Sequence, residues 1–365
     1  MDASPSSAPF SIVAPQDLLI PVVVASPHSG TMYPDHFLRL SRLDLATLRR
    51  SEDAHVDVIV ADVPTLGAPL LRAHFPRVYC DVNRAAWELD PGMFRESLPS
   101  FAQTATDKIR SGLGMIPRVA ASGRGIYREQ LPLAEAHIRI AQCWQPYHTA
   151  LDALLERARA RFGFAILLDI HSMPRLPHRD TADIVLGDAR GQSASPALMA
   201  LLENEFRMRG YSVARNTPYA GGYATRHHGR PGEQRHAIQI EMRRALYMDE
   251  TTLEPHKGIE RLRNDMRVVL ARLASVLPSL RDEMGLQELD SSSYRHLSGH
   301  SRPGLSGERQ VMSTSPKEKA AELAAAHGAE AATIARRHYE TALEEQEIGQ
   351  QGYWLDVIEH LKGLA

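Results

Sequence analysis

Apolar residues fall into two kinds of run along this chain. LLIPVVVA (residues 18–25), FAILLDI (164–170) and HAIQIEM (236–242) show little polar alternation, as strands buried on both faces do. Longer segments carry apolar residues at helical spacing. In 133–162, Leu151, Leu154, Leu155 and Ala158 share one face, and 195–209 and 251–276 read the same way. Gly163 stops the first of these helices, and Pro146 is expected to kink it or open its second half. APLLRAH (68–74), RVYCDVN (77–83), ADIVLGD (182–188) and residues 211–215 are further strand candidates, while 43–61 is helical in places. PYAGGYATRHHGRPG (218–232) reads as a glycine-rich loop. Strands alternating with helices predict an α/β fold, a mixed and largely parallel central sheet flanked by helices.

The pattern changes towards both ends. Residues 1–16 are rich in Ser, Pro and Ala and read as disordered or loosely packed, leaving 17–284 for the α/β domain. Residues 285–314 form a Ser/Gly/Arg linker, and 315–365 an Ala/Glu-rich helical extension without a catalytic motif. That extension could dock on the main domain or mediate self-association into a homo-oligomer.

Composition narrows the class. Of 365 residues 43% are hydrophobic, enough for a sizeable core, and the mean hydropathy of -0.29 is ordinary for a soluble protein. Lys+Arg 42 against Asp+Glu 44 gives a net charge of -2, so bulk charge argues for neither nucleic acid nor a membrane surface. No apolar run approaches the ~20 residues needed to span a bilayer. The first residues lack the basic and apolar regions of a signal peptide. Cys80 and Cys143 lie among apolar neighbours and read as buried reduced thiols, which predicts a cytoplasmic protein.

Chemistry collects at the ends of the apolar runs. His28 follows the first, His171 ends the second and Glu241 ends the third, and parallel sheets put their chemistry at those carboxyl ends. A lone histidine there is an ordinary loop residue; two such histidines and a carboxylate suggest a metal-assisted hydrolase. Asp169 shares a strand face with His171 and could orient it, as metal-bound histidines require. A catalytic zinc needs three protein ligands and an open position. Asp53 is the choice for the acidic ligand, with His55 also open and a solvated helix start as the plain alternative. Glu241 would act as general base unless Arg243 or Arg244 pairs with it. Arg77 could polarise a scissile carbonyl, and Asn83 with Arg84 offers an amide and a planar fork for a substrate carboxylate. The segment 221–229, with Arg226 and His228, could cover a substrate or be a plain connection.

SPHSGTMYP, DAHVD, PRVYCDVNRA, GIYREQLPL, RIAQCWQPYHTAL, LLDIHSMP and GGYATRHHGRPGEQRHAIQIEMRRALYMDE, in that order, resemble the N-formylglutamate amidohydrolase family over roughly residues 18–275. That family is similar in fold to the zinc carboxypeptidases and to the aminoacylase and succinylglutamate desuccinylase enzymes. The resemblance implies a zinc-exopeptidase-like fold, one Zn2+ or another divalent transition metal per chain at His28 and His171, a carboxylate clamp at Asn83 and Arg84, an oxyanion partner at Arg77 and a base at Glu241. Its implied reaction converts N-formyl-L-glutamate to formate and L-glutamate, closing one route of histidine degradation. Arg128, Arg139 and Arg226 are the remaining cations for a second substrate carboxylate. The chain departs from the carboxypeptidase pattern in one respect. Thr31 stands where a ligand glutamate is expected, so the acidic ligand must come from elsewhere, and Asp53 is an inference. Two other functions fit the same residues: an amidohydrolase for another N-acyl amino acid or small peptide, and a non-catalytic binding or regulatory protein.

Overall fold

The three apolar runs form adjacent central strands of one seven-stranded sheet. In this computed structural model, which describes residues 8–175, 182–280, 314–335 and positions 338, 353, 354, 357, 360 and 361, the strands are β1 (Phe10–Val13), β2 (Val22–Ser26), β3 (Leu70–Ala73), β4 (Ala165–Met173), β5 (Ile184–Gly187), β6 (Val213–Arg215) and β7 (Arg235–Arg243). Their order is β1-β3-β2-β4-β7-β5-β6. β3, β2, β4 and β7 run parallel, as do β5 and β6, whereas β1 pairs antiparallel with β3 and β5 with β7. The sheet is therefore mixed and largely parallel.

Helices cover both faces, which is why the central strands can be apolar throughout. They are α1 (Ala134–Arg139), α2 (Gln145–Phe162), α3 (Pro196–Met208), α4 (Tyr223–His228) and α5 (Gly258–Leu280). Ile166, Leu168, Ile170, Ile238, Ile240 and Met242 pack with Leu198, Leu202 and Phe206 of α3 and with Met266 and Leu273 of α5. Each such side chain contributes roughly 1.5–3 kcal/mol by leaving water. The alternate residues, Asp169, His171, Gln239 and Glu241 among them, face the other side. There α2 contacts β2 and β4.

Three local expectations are corrected, and a fourth, that Pro146 opens the second half of the long helix, is met. Residues 77–83 form turns, not a strand, because Pro76 starts a helical turn and the Asp81 side chain accepts from the Asn83 amide at 2.9 Å. This Asx turn competes with extended backbone. Part of the N-terminal segment read as loose is β1, held by pairing with β3. The glycine-rich loop contains α4. Before Pro146 the long helix passes through a π-helical turn, Ile140–Trp144; the proline then occupies the first turn of α2, where its missing N–H costs little.

The chain divides into two compact units, Met1–Gln287 and Glu288–Ala365. In the second, the helix α6 (Pro316–His327) begins with a capping box between Ser315 and Glu318. The linker expected over 285–314 lies, but for residue 314, outside the described residues. No helix of the described residues is long and apolar enough to cross a membrane.

Candidate metal centre and active site

Parallel pairing brings three strand ends together. Cα register sets Ala25 beside Asp169 and His171 beside Glu241, so β2, β4 and β7 finish along one edge of the sheet. His28 follows β2 on a turn, and its carbonyl accepts from the Asp53 amide at 3.0 Å, which ties residues 28 and 53 together.

His28, Asp53 and His171 converge and are buried. His28 Nδ1 lies 3.1 Å from His171 Nδ1, and Asp53 Oδ2 lies 3.4 Å and 3.2 Å from those two nitrogens. Each ring's other nitrogen faces a carboxylate: His28 Nε2 meets Asp81 Oδ1 at 2.8 Å, and His171 Nε2 meets Asp169 Oδ2 at 2.9 Å. Carboxylates accept only, so both Nε2 atoms carry a proton, and in the neutral rings that bind a metal both Nδ1 atoms are bare lone pairs. Two lone pairs and an anionic oxygen thus face one another with no proton between them. A cation resolves this. Donors in a tetrahedral shell of radius about 2.0–2.1 Å lie about 3.3–3.4 Å apart, close to the triangle found here. The residues fit a zinc-sized divalent ion bound by three ligands, with a fourth position left over.

The surroundings hold the triangle rigid. Asp53 Oδ1 accepts from Ser172 Oγ at 3.3 Å and from Arg244 Nη2 at 3.2 Å, while Arg244 also reaches the carbonyls of Arg50 and Glu52. Burial works against the Asp53 charge, but the close approach of the His171 and His28 rings and the charge of Arg77 hold its carboxyl well below the usual range. Arg77 donates to Asp81 Oδ2 at 2.9 Å, passes Asp53 Oδ1 at 3.9 Å and keeps 26% of its side chain exposed. A guanidinium beside the triangle and open to solvent can meet a substrate oxygen. Glu241 is buried, and burial and then Asp53 raise its pKa against the opposing pull of His171, Arg77 and His28. Its plain alternative finds little support: Arg244 turns to Asp53, and Arg243 pairs with Asp183.

The other expected site residues divide. Asn83 Nδ2 comes within 3.5 Å of His171 Nε2, with Arg84 next to it in the chain, yet much of the polar capacity of both is spent. Asn83 Nδ2 donates to Gln239 at 3.1 Å, and its Oδ1 accepts from the Ala224 amide at 3.0 Å. Arg84 donates through Nε to the Leu113 carbonyl and through Nη1 to the Asn83 carbonyl, which leaves Nη2 for a ligand. Arg139 is fully buried, bound to Glu135, Tyr127 and the Tyr79 carbonyl and lying 4.3 Å over the Tyr79 ring. It braces a core. Arg128 binds the Ser41 carbonyl at an exposed position. Arg226 is exposed on α4. His228 is buried under α4: Arg235 donates to its Nδ1 at 3.2 Å and its Nε2 meets His148 Nδ1 at 3.1 Å, so it belongs to a histidine stack and not to the triangle. His55 binds the Leu253 carbonyl, also apart from the triangle.

Several residues escaped the sequence. Asp81 owes its place to the turn, and Arg244 crosses from the end of β7. The exposed Lys108 side chain makes no hydrogen bond or ion pair among the described residues; desolvation and then the charges of Arg84 and Arg77 push its pKa down. Tyr219 is half-buried; burial and then the Glu241 charge raise its phenol pKa. Gln239 had a signal: it stands two positions from Glu241 on a buried strand, as Asp169 does from His171.

Comparison with known proteins decides the family. The model of the N-formylglutamate amidohydrolase family matches residues 20–248, more than half of the chain. The chain belongs to the N-formylglutamate amidohydrolase family. It is 33% identical over 238 residues to the N-formylglutamate deformylase of Pseudomonas aeruginosa, covering 63% of this chain and 83% of that protein. It is 31% identical over 265 residues to the N-formylglutamate deformylase of Pseudomonas putida, with coverage of 71% and 92%. Among solved structures, the N-formylglutamate amidohydrolase from Ralstonia eutropha JMP134 superposes with a TM-score of 0.70 at 39% identity, spanning 75% of this chain and 99% of that one. His28, Asp53, His171 and Glu241 all fall inside the segment that matches the family.

Proposed function

We propose that this protein hydrolyses the amide of an N-acyl acidic amino acid, N-formyl-L-glutamate foremost, with a zinc ion held by His28, Asp53 and His171. The observation that carries the reading is the buried triangle of His28 Nδ1, His171 Nδ1 and Asp53 Oδ2, with Glu241 in register beside His171. The two Pseudomonas relatives, named as N-formylglutamate deformylases, support the substrate.

A bound divalent ion supplies Lewis acidity and lowers the pKa of water to about 7. The chain's own groups do the rest. Glu241 takes a proton from the attacking water and delivers it to the amide nitrogen as the C–N bond breaks, so that water and N-formyl-L-glutamate leave as formate and L-glutamate. Burial raises its pKa, which helps it hold the proton between the two transfers. Arg77, fixed by Asp81, offers N–H donors to the oxygen that gains charge. Arg84 Nη2 and the Lys108 ammonium meet the substrate carboxylates.

The test is metal content of the purified protein together with formate release from N-formyl-L-glutamate before and after chelation. About one zinc per chain with chelator-sensitive release is expected. Metal without release would move the substrate to another N-acyl amino acid, and absence of both would sink the proposal.

A further inference from the structure

Gln239 is buried at the middle of β7 and uses both ends of its amide. Oε1 accepts from Asn83 Nδ2 at 3.1 Å and from the Gly222 amide at 2.9 Å. Nε2 donates to Glu241 Oε1 at 2.8 Å. The two donors leave no freedom in the amide's orientation, since the flipped group would set N–H against N–H. Asn83 is held in turn, because its Oδ1 caps the Ala224 amide. Gly222 is required at the contact, as a Cβ there would run into the Asn83 side chain.

From this arrangement we infer that Gln239 is a positioning residue, aiming the Glu241 carboxylate and linking its orientation to the seating of α4 and Asn83. The inference rests on the function proposed above. Binding Oε1 leaves Oε2 as the oxygen free to exchange a proton with water and the leaving nitrogen. Without that bond the carboxylate can rotate about its terminal torsion, which has only broad preferences of its own. Helix α4 and Asn83 are linked to Glu241 through this side chain. A shift of either is passed to the base.

Two substitutions separate the bonds. Gln239→Glu retains an acceptor for Asn83 and Gly222 but loses the donor to Glu241, whereas Gln239→Met removes all three bonds at similar size. Both are expected to lower kcat for N-formyl-L-glutamate about 10-fold or more, with KM within about threefold, as misplacing a reacting group does. Metal content should be unchanged. In a Glu241→Gln background the same changes should cost less than about twofold, because there is no carboxylate left to aim. Equal losses in both backgrounds, or wild-type kcat for Gln239→Glu, would overturn the inference. A crystal structure of Gln239→Met needs no substrate: a turned Glu241 carboxylate supports the inference and an unmoved one overturns it. If the wild type does not act on N-formyl-L-glutamate, the proposed substrate fails, and the crystal structure still decides this point.

Discussion

His28 donates from Nε2 to Asp81 at 2.8 Å, and this bond turns its Nδ1 towards Asp53 and His171. Proton and lone pair are assigned by the carboxylate, 53 residues away in the chain. Asp81 also anchors Arg77 and receives the Asn83 amide, so three parts of the site depend on it. Asp81→Asn keeps an acceptor but loses the charge. It is expected to weaken metal affinity or turnover by about 10–100-fold. Competition with a chromophoric chelator measures the first, and an unchanged affinity and rate would remove Asp81 from the site.

His171→Gln separates metal binding from folding. The glutamine amide can still donate to Asp169 as Nε2 does, while the lone pair at the Nδ1 position is gone. Loss of bound zinc with an unchanged circular dichroism spectrum is the expected result; a full complement of zinc would rule out the triangle.

Glu241→Gln should keep the metal and lose turnover by about 10²-fold or more, the effect of removing a general base. Zinc analysis beside steady-state kinetics distinguishes this from a ligand role, in which metal and activity disappear together.

Lys108→Met tests substrate binding. Its exposed ammonium feels the charges of Arg84 and Arg77 and makes no hydrogen bond or ion pair among the described residues. A charge that binds substrate and transition state alike changes KM alone, so KM should rise about 10-fold with kcat held. Unchanged kinetics would make Lys108 a plain surface lysine.

Acid should weaken the histidine stack behind the site. Burial, and then the charge of His227, lowers the His148 pKa to about 3; burial lowers that of His227 to about 4, with Arg230 adding to it. Their ordinary value is 6.5, so below it the unfolded chain binds protons that the folded chain refuses. This stability is complete above pH 6.5 and falls as the pH drops towards the folded values. Each ring costs about 1.4 kcal/mol per pH unit in that window. Urea unfolding at neutral pH and one unit below 6.5 should show the fall, smaller by that amount in His148→Gln. Identical falls would mean the ring is protonated in the folded protein.

The sequence by itself determined the sheet and the chemistry at its edge. Runs such as FAILLDI, apolar on both faces, have no stable place outside a covered parallel sheet, so His28, His171 and Glu241 could be read as neighbours, with Asp169 two residues from His171 as its partner. Motif order carried the family resemblance too. What the tertiary structure alone decided lies where the chain leaves regular elements. Asp53, His55, Arg77, Asn83 and Arg128 stand on turns and connections, whose side chains have no period to show which way they face. Only the folded chain shows Arg139 consumed by Glu135 and Tyr127, His228 stacked on His148, and Asp53 rather than His55 turned to the triangle. The proton positions come from the same source: a histidine's tautomer is set by the carboxylate against it, and that contact exists only once β2, β4 and the turn at Asp81 have met.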